Sequence, residues 1–270
     1  MRLVDYAKAH LAVVDVPAIG PLIAAGALTI NGRVGRIADP VEASDVVDVT
    51  GPLANALVPC PMTLPIAYED DDLIVVDKPA GMHVHPIGPY RDGTVINALL
   101  SHAGARADQP WARWRPRPAH RLDRATSGLL IVAKHAETHD ALRLAFERDE
   151  VRRRYRAVVE GVVASDGTID APLGRDPTLP YRRAVVADGE HAVTHYTVVA
   201  REASRTVVEL TLETGRTHQI RAHMASIGHP IVGDTLYATG EASAAAIELR
   251  AFELVFAHPR DGRPIQVLLS

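Results

Sequence analysis

The sequence predicts an α+β protein, a mixed, largely antiparallel sheet domain preceded by a small αβ module. Three observations carry that prediction. Beyond residue 65 many strand-like stretches are interrupted by only a few helical ones, the pattern of helices packed on an antiparallel sheet. Residues 1–50 hold two short helix-like stretches and a hairpin signal of their own. Residues 51–64, "GPLANALVPCPMTL", contain three prolines and one glycine and read as a linker. The expected organisation is a module at 1–50, a linker at 51–64 and a main domain at 65–270.

In chain order, "LVDYAKAHL" and "AIGPLIAAGA" predict two short helices, the second ending at Gly26. "LTINGRV" predicts two strands joined by Asn31-Gly32, residues that tolerate the positive φ of a two-residue hairpin turn. "DVVDVT" predicts a closing strand. In the main domain "YEDDDL" (68–73) reads as a solvated turn, because it lacks the glycine and distant glutamate of a calcium loop. "DLIVVDKPAG" is a short apolar strand ended by Lys78-Pro79, and "GTVINALLSHA" has helical spacing. "GLLIVAK" is a buried strand. "AETHDALRLAFERDEV" is a helix with Ala141, Leu142, Ala145 and Phe146 on one face. "YRAVVEGVV", "EHAVTHYTVVA" and "TVVELTLET" are strand-like. "THQIRAHMASIG" predicts a helix starting near Thr217 and ended by Gly228, and "AFELVFAHP" and "PIQVLLS" close the chain as strands.

The formal net charge is -4, which taken alone argues against a nucleic-acid binder. Distribution matters more. Only Lys8, Lys78 and Lys134 among the 29 basic residues are lysines, and arginine is the residue that grips phosphate bidentately and stacks on bases. "WARWRPRPAHRLDR" (111–124) interleaves five arginines with Trp111 and Trp114. That pattern suits a strand tracking single-stranded nucleic acid and equally an exposed proline-rich loop. "VRRRYRAVV" sets four arginines around Tyr155, either for RNA or as the charged edge of a sheet. The first module has the bases Arg2, Lys8, Arg33 and Arg36 against six acids, so RNA contact is expected to concentrate on the main domain. Cys60 has no partner for an internal disulfide. No apolar run reaches the ~18 residues that span a bilayer, and aspartates at 5 and 15 are unlike a signal peptide. A cytoplasmic location fits these features.

Neither a phosphate-cradling glycine motif nor a serine-hydrolase elbow occurs. His83 and His85 form H-x-H, but a second cysteine and an H-E-x-x-H are both missing, so no metal is expected. What remains is one carboxylate, Asp123, between Arg121 and Arg124 in "AHRLDRATSGLLIVAK". With it stand the arginine-flanked Tyr155 and the segment "ETGRTHQIRAH", which puts Arg216, His218, Gln219, Arg221 and His223 within eight residues. An arginine brought beside Asp123 favours the ionised carboxylate, which serves as a nucleophile or base. On residue chemistry alone a structural Asp–Arg pair explains the same residues.

Four segments from Tyr68 onward resemble, in order, the motifs of the RluA family of RNA pseudouridine synthases. They are "YEDDDLIVVDKPAGMHVHP", "HRLDRATSGLLIVAK", "RRRYRAVVEG" and "LETGRTHQIRAHMASIGHPIVGDTLY". Residues 1–50 are similar to the small ribosomal-protein-like RNA-binding module that often precedes this catalytic domain, through "LIAAGALTINGRV", although the usual basic first half is absent. Arg153 stands where the family commonly has lysine, and Arg250 where a histidine is usual.

The resemblance implies an enzyme that converts uridine to pseudouridine inside structured RNA without cofactor or metal. It implies Asp123 as nucleophile, Tyr155 packed on a flipped uracil and Arg221 orienting the aspartate. Arg121 would fill the vacated base stack, and Arg124, Arg153, Arg216, His218, Gln219 and His85 would bind substrate. Large-subunit ribosomal RNA is the expected target, with transfer RNA the alternative, and the partner is RNA, with neither a membrane nor a second copy of the chain. Two other classes stay open: a non-catalytic RNA-binding or ribosome-assembly factor, and a metal-dependent hydrolase using His83, His85 and Asp123.

Overall fold

A computed structural model describes residues 1–270 except 52, 54–55, 107–110 and 239–245. The first fifty residues form helices α1 (Leu3–His10) and α2 (Val16–Ala24) and strands β1 (Leu28–Ile30), β2 (Arg33–Val34) and β3 (Val47–Val49). The three strands make an antiparallel sheet in the order β2-β1-β3. Asn31 and Gly32 both take positive φ, 50° and 79°, so the two-residue hairpin turn forms as expected. The Asn31 side chain locks it by accepting from the Val46 N–H and donating to Asp45.

The remainder is built on β4 (Ile66–Glu69), β5 (Leu73–Lys78), α3 (Val95–His102), β6 (Arg117–Pro118), β7 (Ser127–Ala133), α4 (Ala136–Glu147) and β8 (Arg152–Glu160). It continues through β9 (Gly167–Asp170), β10 (Leu173–Arg175), β11 (Arg183–Val185), β12 (Val193–Arg201), β13 (Arg205–Leu212), α5 (Gln219–Ser226), β14 (Leu249–Ala257) and β15 (Pro264–Leu268). Ten of these strands form one sheet running β4-β5-β7-β14-β8-β13-β12-β9, with β15 added to β14 and β6 to β7. Among the described residues, only the β7–β14 pairing in that sheet is parallel. β10 and β11 form a separate hairpin.

Burial follows from residue type. Leu129 to Ala133 of β7 are all inaccessible to solvent, as an apolar run in the middle of a sheet requires. Helix α3 starts at Thr94, whose hydroxyl accepts from the Asn97 N–H while the Asn97 side chain accepts from the Thr94 N–H. Gly128 has φ +113°, and a Cβ there would lie 2.1 Å from the Ala251 carbonyl oxygen on β14. That close approach leaves only glycine room at the point where the loop carrying Asp123 enters the sheet.

Several expectations change. Strand β8 lies between β14 and β13, so the charged-edge reading of "VRRRYRAVV" does not hold. The arginines alternate instead. Arg154 pairs with Glu209 and Glu253 and Arg156 with Glu209, while Arg153 and Tyr155 line a pocket. The turn at 70–72 is tied down rather than simply solvated: Asp70 accepts from Tyr68, Arg263 and the Leu73 N–H and pairs with His258, and Asp72 is buried against Arg260. The tryptophans of "WARWRPRP" face protein. Trp114 is buried, and Trp111 packs on Tyr6 with ring centroids 5.5 Å apart. The Ala112 N–H donates to the His10 carbonyl, and Arg115 donates to the carbonyls of Leu11 and Val14. This segment therefore docks the first fifty residues onto the sheet, and one apolar cluster runs through both. Within the expected linker, residues 52, 54 and 55 lie outside the described residues. The rest is packed: the Leu57 N–H donates to Val13, the Cys60 N–H donates to Asn97, and Leu64 is buried.

Candidate active site

The loop between β6 and β7 carries Asp123 and is fixed from both sides. The Ala119 N–H donates to the Ile131 carbonyl, and the Ile131 N–H donates back to His120 Nε2. His120 is therefore a neutral acceptor, and burial drives its pKa down to about 3. On the other side the Gly81 N–H and Lys78 Nζ both donate to the Arg124 carbonyl. Lys78 is wholly buried and also donates to the carbonyls of Pro79 and Met82. Burial pulls its pKa down to about 8 against the opposing charges of Asp123 and Asp77. The "DKPAG" corner thus clamps the Asp123 loop.

Asp123 stands in a cavity of about 70 Å³ between that loop, β8 and the start of α5. Eight of the ten expected site residues line it: Asp123, Tyr155, Arg221, Arg121, Arg153, Arg216, His218 and Gln219. Arg124 and His85 do not. Arg124 donates to the Gly81 carbonyl and lies 5.2 Å from the centre of the Tyr90 ring, and His85 lines a neighbouring cleft. His83, 4.8 Å from Tyr90 ring to ring, is also outside the cavity.

Arg221 Nη1 lies 3.5 Å from Asp123 Oδ2. Its tightest partner is a residue the sequence reading missed. Asp234, only 2% exposed, takes Nε at 2.7 Å and Nη2 at 2.8 Å in a two-pronged bond. Burial opposes the guanidinium charge, but Asp234 outweighs it and raises the arginine's pKa. Tyr237 lies 5.2 Å from the guanidinium, and its hydroxyl is 3.2 Å from His218 Nδ1. Both new residues lie in "GDTLY", at the end of the last motif, where sequence offered position but no partner. Helix α5 begins at Gln219, not near Thr217, because His218 adopts the left-handed conformation at φ 58°. That conformation is costly for a non-glycine residue. It sets the His218 Nε2 4.0 Å from Asp123 Oδ2, and burial lowers the imidazole pKa. Gln219 accepts from the Arg216 N–H and donates to the Val193 carbonyl, anchoring the turn.

Tyr155 is 6% exposed, and burial raises its phenol pKa. Arg153 Nε is buried with no hydrogen-bond partner among the described residues. Arg250 donates to Asp77 on β5 and so braces the β5–β14 side of the sheet. Among the described residues, the metal-ligating side chains that converge are Asp70, Asp72 and His258, none of which lines the cavity. His83, His85 and Asp123 do not converge.

A carboxylate held beside a guanidinium at the mouth of a cavity walled by a tyrosine and further cations defines a site for nucleophilic or base chemistry on an anionic, aromatic substrate. Comparison with known proteins gives that class a family. Residues 72–226 match the RNA pseudouridylate synthase family model. The chain is 42% identical over 251 residues to the uncharacterized RNA pseudouridine synthase YlyB of Bacillus subtilis, covering 89% of this chain and 80% of the relative. It is 38% identical over 260 residues to ribosomal large subunit pseudouridine synthase D of Zymomonas mobilis, covering 90% and 82%. Among solved structures it is similar to human RNA pseudouridylate synthase domain containing 1, with a TM-score of 0.65 and 25% identity over 82% of this chain and 86% of that one. The chain belongs to the RNA pseudouridylate synthase family and is an isomerase acting on RNA. Among the described residues no helix is long and apolar enough to cross a membrane.

Proposed function

We propose that this enzyme converts uridine to pseudouridine in large-subunit ribosomal RNA, with Asp123 as its nucleophile or base. The observation that carries the chemistry is the joint placement of Asp123, Tyr155 and Arg221 in one cavity. Support for the substrate comes from relatives such as ribosomal large subunit pseudouridine synthase D of Pseudomonas aeruginosa, 44% identical over 214 residues. The target base is flipped from its stack, at a cost of a few kcal/mol, because its reacting atoms are otherwise out of reach. Exposed Arg121, next but one to Asp123, fills the gap by stacking. Tyr155 packs on the uracil.

The N1–C1′ bond breaks, the base rotates and C5 bonds to C1′. The C5 proton leaves and N1 gains one, so the product is an isomer of the substrate. Arg221, held by Asp234, keeps Asp123 aimed. Arg153, Arg216, His218 and Gln219 complete the substrate pocket. Residues 1–50 act as a docked, acidic relative of a ribosomal RNA-binding module, with 65–270 as the catalytic domain. The enzyme works as a monomer in the cytoplasm, where ribosomal RNA is the abundant structured target. The test is a map of pseudouridine in cellular RNA with and without this gene. Loss of a site in large-subunit ribosomal RNA supports the reading, and loss confined to transfer RNA overturns its substrate.

A further inference from the structure

The segment "RWRPRP" docks the first fifty residues, and its arginines also line a second and larger space. A cleft of about 770 Å³ opens between the first fifty residues and the sheet domain. Ala12, Asp15 and Val16 stand on one side, and Arg91, Arg115 and Arg117 on the other. Arg115 is 8% exposed, and no carboxylate lies within ion-pair distance of it among the described residues. Its Nε is buried and without a partner, while both Nη groups are spent on backbone carbonyls. Arg117, half-buried, donates only to the carbonyls of Arg115 and Lys134, and no carboxylate pairs with it or with exposed Arg91 among the described residues.

Uncompensated guanidinium charge inside a protein is costly, and this chain neutralises arginine elsewhere: Arg154, Arg156, Arg182, Arg221 and Arg260 all have carboxylate partners. The acids around the cleft are Asp15 in its wall and Glu137 and Asp140, which act on Arg117 only through space. Burial and the neighbouring charge of Arg117 lower the pKa of Arg115 to about 10, and Asp15 opposes them only through space. His85 and His139 also line the cleft. The imidazole of His85 is lowered in pKa by the protein around it and by the charge of Arg121, so this wall lies within electrostatic reach of the catalytic cavity.

We propose that this cleft binds backbone phosphates of the RNA strand flanking the target uridine, with Arg117 and Arg91 as direct contacts and Arg115 as the buried charge behind them. The proposal rests on the RNA-modifying reading of the neighbouring cavity. It explains how a chain of net charge -4, with an acidic first module, holds RNA: cations are concentrated where the module meets the catalytic domain.

The test uses the full chain carrying Asp123→Asn and a fluorescent transcript of large-subunit ribosomal RNA as probe, with binding measured from 50 to 300 mM salt. Arg91→Gln with Arg117→Gln should make the slope of log affinity against log salt shallower by about 1.4, at ~0.7 per single-strand phosphate contact. Affinity at the lowest salt should fall at least fivefold. Arg156→Gln with Arg260→Gln makes the same charge change on residues whose arginines are already paired, and its slope should stay as in the parent. Equal slopes for both pairs would overturn the proposal. So would loss of inorganic-phosphate protection against heat in the cleft variant with its RNA binding unchanged, since the site would then hold a free anion. Arg115 is left intact because its bonds to Leu11 and Val14 support folding. Pseudouridine formation on the same transcript by the unmutated enzyme tests the substrate reading separately: no product there refutes that reading, whereas product with unaltered cleft-variant binding refutes only the cleft.

Discussion

Asp234→Asn is the substitution that best separates positioning from chemistry. Asp234 does not line the cavity, yet it holds two of the three guanidinium nitrogens of Arg221, at 2.7 and 2.8 Å. A hydrogen bond to a charged group is worth about 1.5–3 kcal/mol and a neutral one about 1. Asparagine keeps one acceptor oxygen and turns an amide N–H₂ toward the guanidinium, so about 3 kcal/mol of stability should be lost, at the low end of the ~3–5 kcal/mol for breaking a buried pair. For a chain of this size that is a fall in Tm of about 6–10 °C. Released from Asp234, Arg221 is free to shift about its 3.5 Å approach to Asp123. A displacement of about 1 Å at a reacting group costs roughly 10²-fold in rate. The assay is tritium release from RNA labelled at uracil C5, with thermal unfolding alongside. The expected result is kcat down by about 10²-fold with KM within about threefold. A variant with the lower Tm and unchanged kcat would refute the positioning role, leaving Asp234 a purely structural partner.

Other outcomes follow from the same geometry. The folded-state pKa of Lys78, about 8, lies below its ordinary value of 10.5, so the unfolded chain binds more protons between those limits. Stability should therefore rise as pH climbs from 8 to 10.5, by roughly 3 kcal/mol at ~1.4 kcal/mol per unit, and Lys78→Met should flatten that part of the unfolding curve. Gly128→Ala should yield little folded protein, since its methyl would sit on the Ala251 backbone; a Tm within a few degrees of the parent would contradict the packing. Turnover should be complete in the presence of a chelator, and a loss restored by a divalent ion would revive the metal-dependent class.

Much of the site was legible because its residues are local. Asp123, Tyr155 and the Arg216–Arg221 segment each sit in a short motif, and alternation along β8 sends Arg153 and Tyr155 to one face. What was illegible depends on chain segments meeting. The strand rich in arginine read equally as an RNA contact or a sheet edge, because nothing in "VRRRYRAVV" names Glu209 and Glu253 as its neighbours. The tryptophans at 111 and 114 suited base stacking as well as packing, and only the nearness of Tyr6 to Trp111 and of His102 and Lys134 to Trp114 decides the matter. Helix α5 starts two residues late because the left-handed turn at His218 is fixed by tertiary contacts with Tyr237 and Val193, which propensity does not register.

The central claim is that Asp123 performs the chemistry and is not simply the partner of Arg221. The most direct measurement is single-turnover tritium release by Asp123→Asn on large-subunit ribosomal RNA, with binding followed on the same samples. The account predicts no detectable release and RNA affinity close to that of the parent enzyme. Release at the parent rate would contradict it.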